Sequence, residues 1–341
     1  MNKYITFGEI MLRLKSPNNE RFFQSPALEA TFGGGEGNVA VSLSRFGEEA
    51  HFITALPEND LGMHCTEEIR KHGVITDGIK YVKDSRIGIY YLETGACQRP
   101  SKVVYDRAES AFATTTGYEF DKLMDGATWF HISGISPAVS QLSADESLRA
   151  MKTAKAKGAT VSIDLNYRKK LWKYGKDAPT VMRELTKYAD VIIANEEDIQ
   201  KCLGIASDSD VTSGELDVSS YEKLAQEVKK QFPNVSKVAI TLRESQSADH
   251  NDWSAVISGT TGFYHSRKYE IKNIIDRVGG GDSFSAGIIY GLTHYDSEEQ
   301  ALNFAVAASA LKHTISGDFN LSSLSEVQTL MGGDGSGRVQ R

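Results

Sequence analysis

Short apolar, β-branched runs recur along this chain, each ending in Gly, Asp or Asn and each giving way to a stretch with apolar residues every three to four positions. Parallel strands need a long crossover, and helices that make the crossover cover both faces of the sheet, so this alternation predicts buried strands joined by helices. The predicted strands are Tyr4–Phe7, His51–Ala55, Thr128–Ile132, Thr160–Asp164, Val191–Ala194 and Lys237–Thr241. The predicted helices are Asn38–Phe46, Ala144–Lys157, Ala178–Tyr188, Tyr221–Lys230, Ser283–Leu292 and Ser297–His313. The expected fold is α/β, a three-layer αβα sandwich with a mostly parallel central sheet.

Two segments, residues 13–31 and 84–113, break the rhythm with short alternating stretches such as Ile87–Glu93 and Lys102–Tyr105 and no helix between them. They read as antiparallel strands of a small β-sheet lid inserted in one large domain of residues 1–331. Such a lid would hinge where the chain crosses and exclude water during group transfer, although plain hairpins have the same pattern. The Gly-rich tail, residues 332–341, lacks apolar anchors and is expected to be mobile.

With 341 residues, 40% of them hydrophobic and 24% charged, the chain can bury a full core. Its 38 basic residues against 45 acidic ones form no basic run, which argues against nucleic acid as a partner. No stretch approaches the roughly 20 apolar residues of a membrane span, and the N-terminus lacks a signal-peptide core. Cys65, Cys97 and Cys202 are widely spaced and odd in number, so neither a disulfide framework nor a zinc site is expected. These features predict a cytoplasmic protein.

Chemistry concentrates in two glycine segments. In Ile275–Leu292, IDRVGGGDSFSAGIIYGL, the glycines Gly279, Gly280 and Gly281 run into a helix through Asp282. Bare amides at a helix N-terminus form a seat for phosphate, and Asp282 can accept a proton from an attacking hydroxyl or simply cap the helix. In Phe32–Phe46, FGGGEGNVAVSLSRF, Gly34, Gly35 and Asn38 lead into another helix. This segment departs from the dinucleotide fingerprint, and no Walker sequence occurs; it can bind a polyhydroxylated ligand or form a tight capped turn.

Together the two segments resemble the signatures of the ribokinase-like (PfkB) carbohydrate kinase family, in the same order and at comparable separation, and the resemblance covers nearly the whole chain. It implies a ribokinase-like fold with ATP and Mg2+ as cofactors. It also implies Asp282 as catalytic base and the amides of Gly279 to Asp282 as an anion hole, Gly279 and Gly281 also meeting the nucleotide. The segment Ala194–Ile199, ANEEDI, is similar to the family's magnesium-organising NxxE, which implies metal roles for Asn195 and, through water, Asp198. That fourth position is here one methylene shorter than the family's Glu. Nucleotide contacts are implied for Asn195, Thr241, Arg243 and Asn303.

Within the family, the segments VYDR (Val104–Arg107) and DLNYR (Asp164–Arg168) resemble the branch acting on 2-keto-3-deoxygluconate, as do GEIMLRL (Gly8–Leu14) and KHTISGDFNL (Lys312–Leu321). That resemblance implies a sugar-acid substrate whose carboxylate meets Arg107 and Arg168. Tyr90, Tyr105, Asp318, Gly34, Gly35 and Asn38 would complete the sugar site. Ribose and fructose kinases commonly carry an aspartate near the position of Arg13. Rival readings are a kinase for fructose, ribose or the galacto epimer, and a non-catalytic sugar or nucleotide sensor. A homodimer, or higher homo-oligomer, through the lid is expected.

Overall fold

Strands that run through the middle of an α/β sheet have no solvent face, and here Trp129–Ser133 and Val191–Ala194 are buried at every position. The computed structural model describes residues 2–206, 218–335 and 337. The strands are β1 (Lys3–Phe7), β2 (Met11–Lys15), β3 (Glu29–Gly33), β4 (Glu49–Pro57), β5 (Ile79–Val82), β6 (Gly88–Glu93) and β7 (Lys102–Asp106). They continue with β8 (Trp129–Ser133), β9 (Thr160–Asp164), β10 (Val191–Ala194), β11 (Lys237–Ser245), β12 (His250–Ser258), β13 (Phe263–His265) and β14 (Tyr269–Lys272).

Among the described residues, the large sheet has ten strands in the order β13-β12-β11-β10-β9-β8-β1-β4-β5, with β14 also paired to β12. The run from β11 to β5 is parallel, and β12, β13 and β14 add antiparallel pairs at one end. Helices flank it on both sides with two apolar cores, one around Phe7, Phe130 and Ile163, the other around Phe52, Phe284 and Phe304. This is the expected mostly parallel sandwich. Its helices Gly280–His294 and Glu298–Lys312 pack with almost no gap, because Gly287 and Gly291 face the backbone of Ala305 and Ala301. A side chain at Gly287 would start 2.5 Å from the Ala305 Cα.

The second sheet is small, in the order β3-β2-β6-β7. Its strands fall where the alternating stretches predicted them, but not all of its pairing is antiparallel: β2 and β6 run parallel in the centre. Those two strands come from separate insertions, so no hairpin dictates their direction. The sheet sets Met11, Tyr90 and Leu92 against Val278, the residue before the second glycine run.

Cys65 and Cys202 are buried free thiols and Cys97 is an exposed one. Among the described residues, no helix is long and apolar enough to cross a membrane. Of the tail predicted to be mobile, residues 336 and 338–341 lie outside the described residues.

Candidate active site

Parallel strands bring their carboxyl ends to one edge, and the strand order reverses where β8 lies beside β1. Open α/β sheets bind ligands in the crevice at such a reversal. Here Glu36 plugs the base of the crevice. Its Oε1 accepts hydrogen bonds from the Ser133 N–H at the end of β8 (2.9 Å) and from the Ser136 hydroxyl (2.6 Å). Its carboxylate also fills the space a side chain on Gly8 would need at the end of β1. Burial pushes Glu36 up to about 7, against the opposing pull of those hydrogen bonds. Sequence reasoning missed Glu36; its one signal is a charge placed between two glycines in an apolar segment.

The two glycine segments meet over this plug. Asn38 Nδ2 donates to Asp282 Oδ2 at 2.6 Å, and Asn38 Oδ1 accepts from the Gly34 N–H at 3.2 Å. Both ends of the Asn38 amide are therefore spent on holding the site together. Gly35 lies against Asp282, with an ideal Cβ 3.6 Å from Oδ1, and Gly33 lies against the Asp318 carboxylate. Neither Asn38 nor Asp282 caps its helix through its side chain, because Gly34 and Gly279 occupy the N-cap positions.

The three glycines of the second run have three separate reasons to be glycine. Gly279 has φ +83°, a left-handed conformation, and a Cβ there would sit 2.0 Å from the Asp318 carbonyl oxygen. A Cβ on Gly280 would strike the His313 ring at 2.7 Å. Gly281 meets nothing within 4 Å, so its face opens on the cleft. The Gly280 N–H is used by the Arg277 carbonyl (3.3 Å), whereas the Gly279, Gly281 and Asp282 N–H groups have no protein acceptor among the described residues. Open amides at the positive end of a helix, with a carboxylate one residue on, can hold a phosphoryl group and take a proton beside it.

Burial pushes the Asp282 carboxyl up to about 6; the Asn38 hydrogen bond opposes this and the Asp318 charge adds to it. A general base works only when deprotonated. If Asp282 is the base that the resemblance implies, kcat/KM rises with pH through about 6 and then levels off, a profile that steady-state kinetics across pH measures. Asp282→Glu, with a longer and more solvated side chain, should move that midpoint.

Other predicted residues gather around this centre to different degrees. The Tyr90 hydroxyl donates to both Asp318 oxygens (2.6 and 2.7 Å). Arg107 is buried, its Nε and Nη2 both directed at Glu9 Oε2, and it lies over the Tyr105 ring at 5.6 Å from the centroid. Its Nη1 has no partner among the described residues. Arg168 is exposed just past β9, with Nη1 on the Tyr167 carbonyl (3.1 Å). Arg243 has no hydrogen bond or ion pair among the described residues; its side chain reaches solvent, and partial desolvation together with the facing Arg168 charge lowers its pKa.

Asn195 and Asp198 cap each other's backbone at the start of the helix Glu196–Leu203. Asp198 Oδ1 also accepts from the Tyr167 N–H at 2.9 Å, so backbone donors already occupy both carboxylate oxygens. Thr241 lies in β11 with its hydroxyl on the Ala194 carbonyl (3.4 Å). Asn303 bonds the Arg267 N–H and the Glu299 carbonyl, on the flank where β13 leads to β14. Sequence reasoning also passed over Glu9 and Asp164. Asp164, at the end of β9, is raised by burial and then by the nearby Asp198 and Asp282 charges.

The sequence matches the family described as pfkB family carbohydrate kinase over residues 1–323. The chain belongs to this family. It is therefore a phosphotransferase with an alcohol group as acceptor. A crystal structure of 2-dehydro-3-deoxygluconokinase from Thermotoga maritima is 46% identical to this kinase. It superposes with a TM-score of 0.91 over 98% of this chain and 100% of that one. A 2-dehydro-3-deoxygalactonokinase from Haloferax volcanii is 34% identical over 332 residues, 97% of each chain. A fructokinase from Xylella fastidiosa, solved with bound ATP, shares the fold with a TM-score of 0.78 at 22% identity, over 97% of this chain and 99% of that one. The ribokinase-like architecture expected from the glycine segments is thus the architecture of this kinase.

Proposed function

We propose that this kinase transfers the γ-phosphoryl group of ATP to the C6 hydroxyl of 2-keto-3-deoxygluconate, the sugar acid also named 2-dehydro-3-deoxygluconate. The observation that carries the reading is Asp282, fixed by Asn38 and half-buried beside the open Gly281 amide. Asp282 takes the hydroxyl proton as that oxygen bonds to the γ-phosphorus, and the bond to the departing ADP oxygen breaks. The Gly279, Gly281 and Asp282 amides hold the charge that develops on the transferring group. Phosphoryl transfer asks little else of a protein beyond position and charge.

The residues present fit a magnesium ion held mainly through water and phosphate. Asp164, Asp198 and Asp282 are all raised by burial, and Asp164 is raised further by the charges of the other two; such a group gains from a cation. They form no tight protein-only cage among the described residues, which matches the way Mg2+ keeps its waters. When bound, the ion neutralises charge on the outer phosphates. Arg243, which has no hydrogen bond or ion pair among the described residues, meets the same anionic nucleotide in this reading, with Asn195 and Thr241 at the neighbouring strand ends.

On the sugar side, Arg168 and the free Nη1 of Arg107 supply positive charge for a carboxylate, and the small sheet serves as the lid that shields transfer from water. The likeness to the Thermotoga enzyme supports the gluco acid. The likeness to the Haloferax enzyme favours its galacto epimer as the second reading, since one inverted hydroxyl changes no charge. ADP formation from each keto-deoxy acid, fructose and ribose tests this: preference for a neutral sugar would overturn it. Arg168→Ala should raise the KM for the acid about tenfold to a hundredfold with little change in kcat, the scale of one charged hydrogen bond.

A further inference from the structure

Arg13 lies on β2 of the small sheet and is only 1% exposed, among the largest fully buried side chains of the molecule. A guanidinium is costly to bury unless its charge is answered, and here two carboxylates answer it. Nη1 donates to Asp318 Oδ1 at 2.6 Å, and Nη2 donates to Asp276 Oδ2. Burial opposes its charge, yet the Asp318 and Asp276 carboxylates hold it protonated, above its ordinary value.

Both aspartates border the reaction centre. Asp318 backs Gly33 and Gly279. Asp276 stands three residues before Gly279 and accepts from the Val278 and Gly317 N–H groups, each at 3.1 Å. Beside this knot lies the buried Lys312, whose ammonium donates to the Asp276 and Ile315 carbonyls. Arg13 and Lys312 together cancel Asp276 and Asp318. Without Arg13 the wall behind the sugar would carry a net negative charge, directed at a substrate that is itself an anion.

We propose that Arg13 sets the charge selectivity of the sugar site: by answering, together with Lys312, the charge of two buried aspartates it allows an anionic sugar to bind, without touching that sugar itself. This rests on the sugar-acid reading above. Arg13 is thus a positioning and specificity residue that acts through Asp318 and Asp276. A neutral sugar places no such demand on the wall.

Steady-state kinetics of three variants tests the proposal. Arg13→Met should raise the KM for 2-keto-3-deoxygluconate about tenfold or more, the scale of one unscreened charge near a protein surface, while the KM for MgATP changes less than about threefold. Arg13→Lys keeps the charge and should hold the acid KM within about threefold of the parent. Should Arg13→Met fail to fold, Asp276→Asn decides, because it adds net positive charge: it should lower the acid KM at low salt, the opposite of what mere structural damage does. An acid KM unmoved in folded Arg13→Met, or unchanged or raised in Asp276→Asn, overturns the inference. If the parent kinase forms no ADP with the acid, the sugar-acid reading fails first; if it does and the variants behave otherwise than stated, only the role of Arg13 fails.

Discussion

Asp282→Asn is expected to lower kcat about 10²–10⁴-fold, the range a positioned general base contributes, while ATP and sugar still bind within a few-fold of the parent. Asparagine has nearly the same shape and can keep a hydrogen bond with Asn38 after its amide turns, so the site stays assembled and only the proton acceptor is lost. The same variant should be more stable at pH 7. The Asp282 carboxyl is raised in the folded state from 3.8 to about 6, so over that interval the folded chain binds more protons than the unfolded one. Stability therefore falls as pH rises from about 4 to about 6, and ionised Asp282 costs stability above it. Thermal unfolding of parent and variant at pH 5 and pH 7 measures this, with the larger gain expected at pH 7. Turnover near the parent level would remove Asp282 from the mechanism.

Gly279→Ala and Gly281→Ala should fail in different ways although two positions apart. At Gly279 the left-handed backbone penalises any side chain by about 1–2 kcal/mol, and the added carbon would overlap the Asp318 carbonyl oxygen at 2.0 Å. Stability should drop by about 2–4 kcal/mol and activity with it, as the turn shifts away from Asp318. At Gly281 the added carbon meets nothing within 4 Å. Alanine near a helix start is neutral or stabilising by up to about 1 kcal/mol, so the melting temperature should hold or rise. Its methyl group still stands beside the amides proposed to receive phosphate. A kcat loss of tenfold or more is expected, short of the roughly 10²–10³-fold that follows when such a donor is removed altogether. Melting curves and kcat from the two variants separate a glycine needed for the fold from one needed for the reaction.

Local pattern made much of this molecule readable. β9 and β10 have the predicted bounds, because a strand covered on both faces is a continuous apolar run with a sharp polar end. The glycine segments stood out since amide-lined turns into helices are written in consecutive residues. β12, β13 and β14 were not among the predicted strands; polar Asn251, Asp252 and Ser254 interrupt the apolar run of β12, yet it lies buried between β11 on one side and β13 and β14 on the other, so its local pattern hides its place in the sheet. The parallel pairing of β2 with β6 was hidden for a related reason, as alternation reveals a strand but not its partner.

The amino-acid order by itself determined the layered α/β fold, the two glycine turns that lead into helices, and Asp282 as the group worth testing. Each follows from residues adjacent in the chain, where periodicity and backbone freedom act. Only the tertiary structure decided that Asn38 holds Asp282, that Glu36 plugs the strand reversal, that Glu9 takes up one edge of Arg107, and that Arg13 bridges Asp276 and Asp318. Those are contacts between segments up to 305 residues apart. The energy of a buried charge depends on which opposite charge the folded chain places beside it, and no local pattern carries that information.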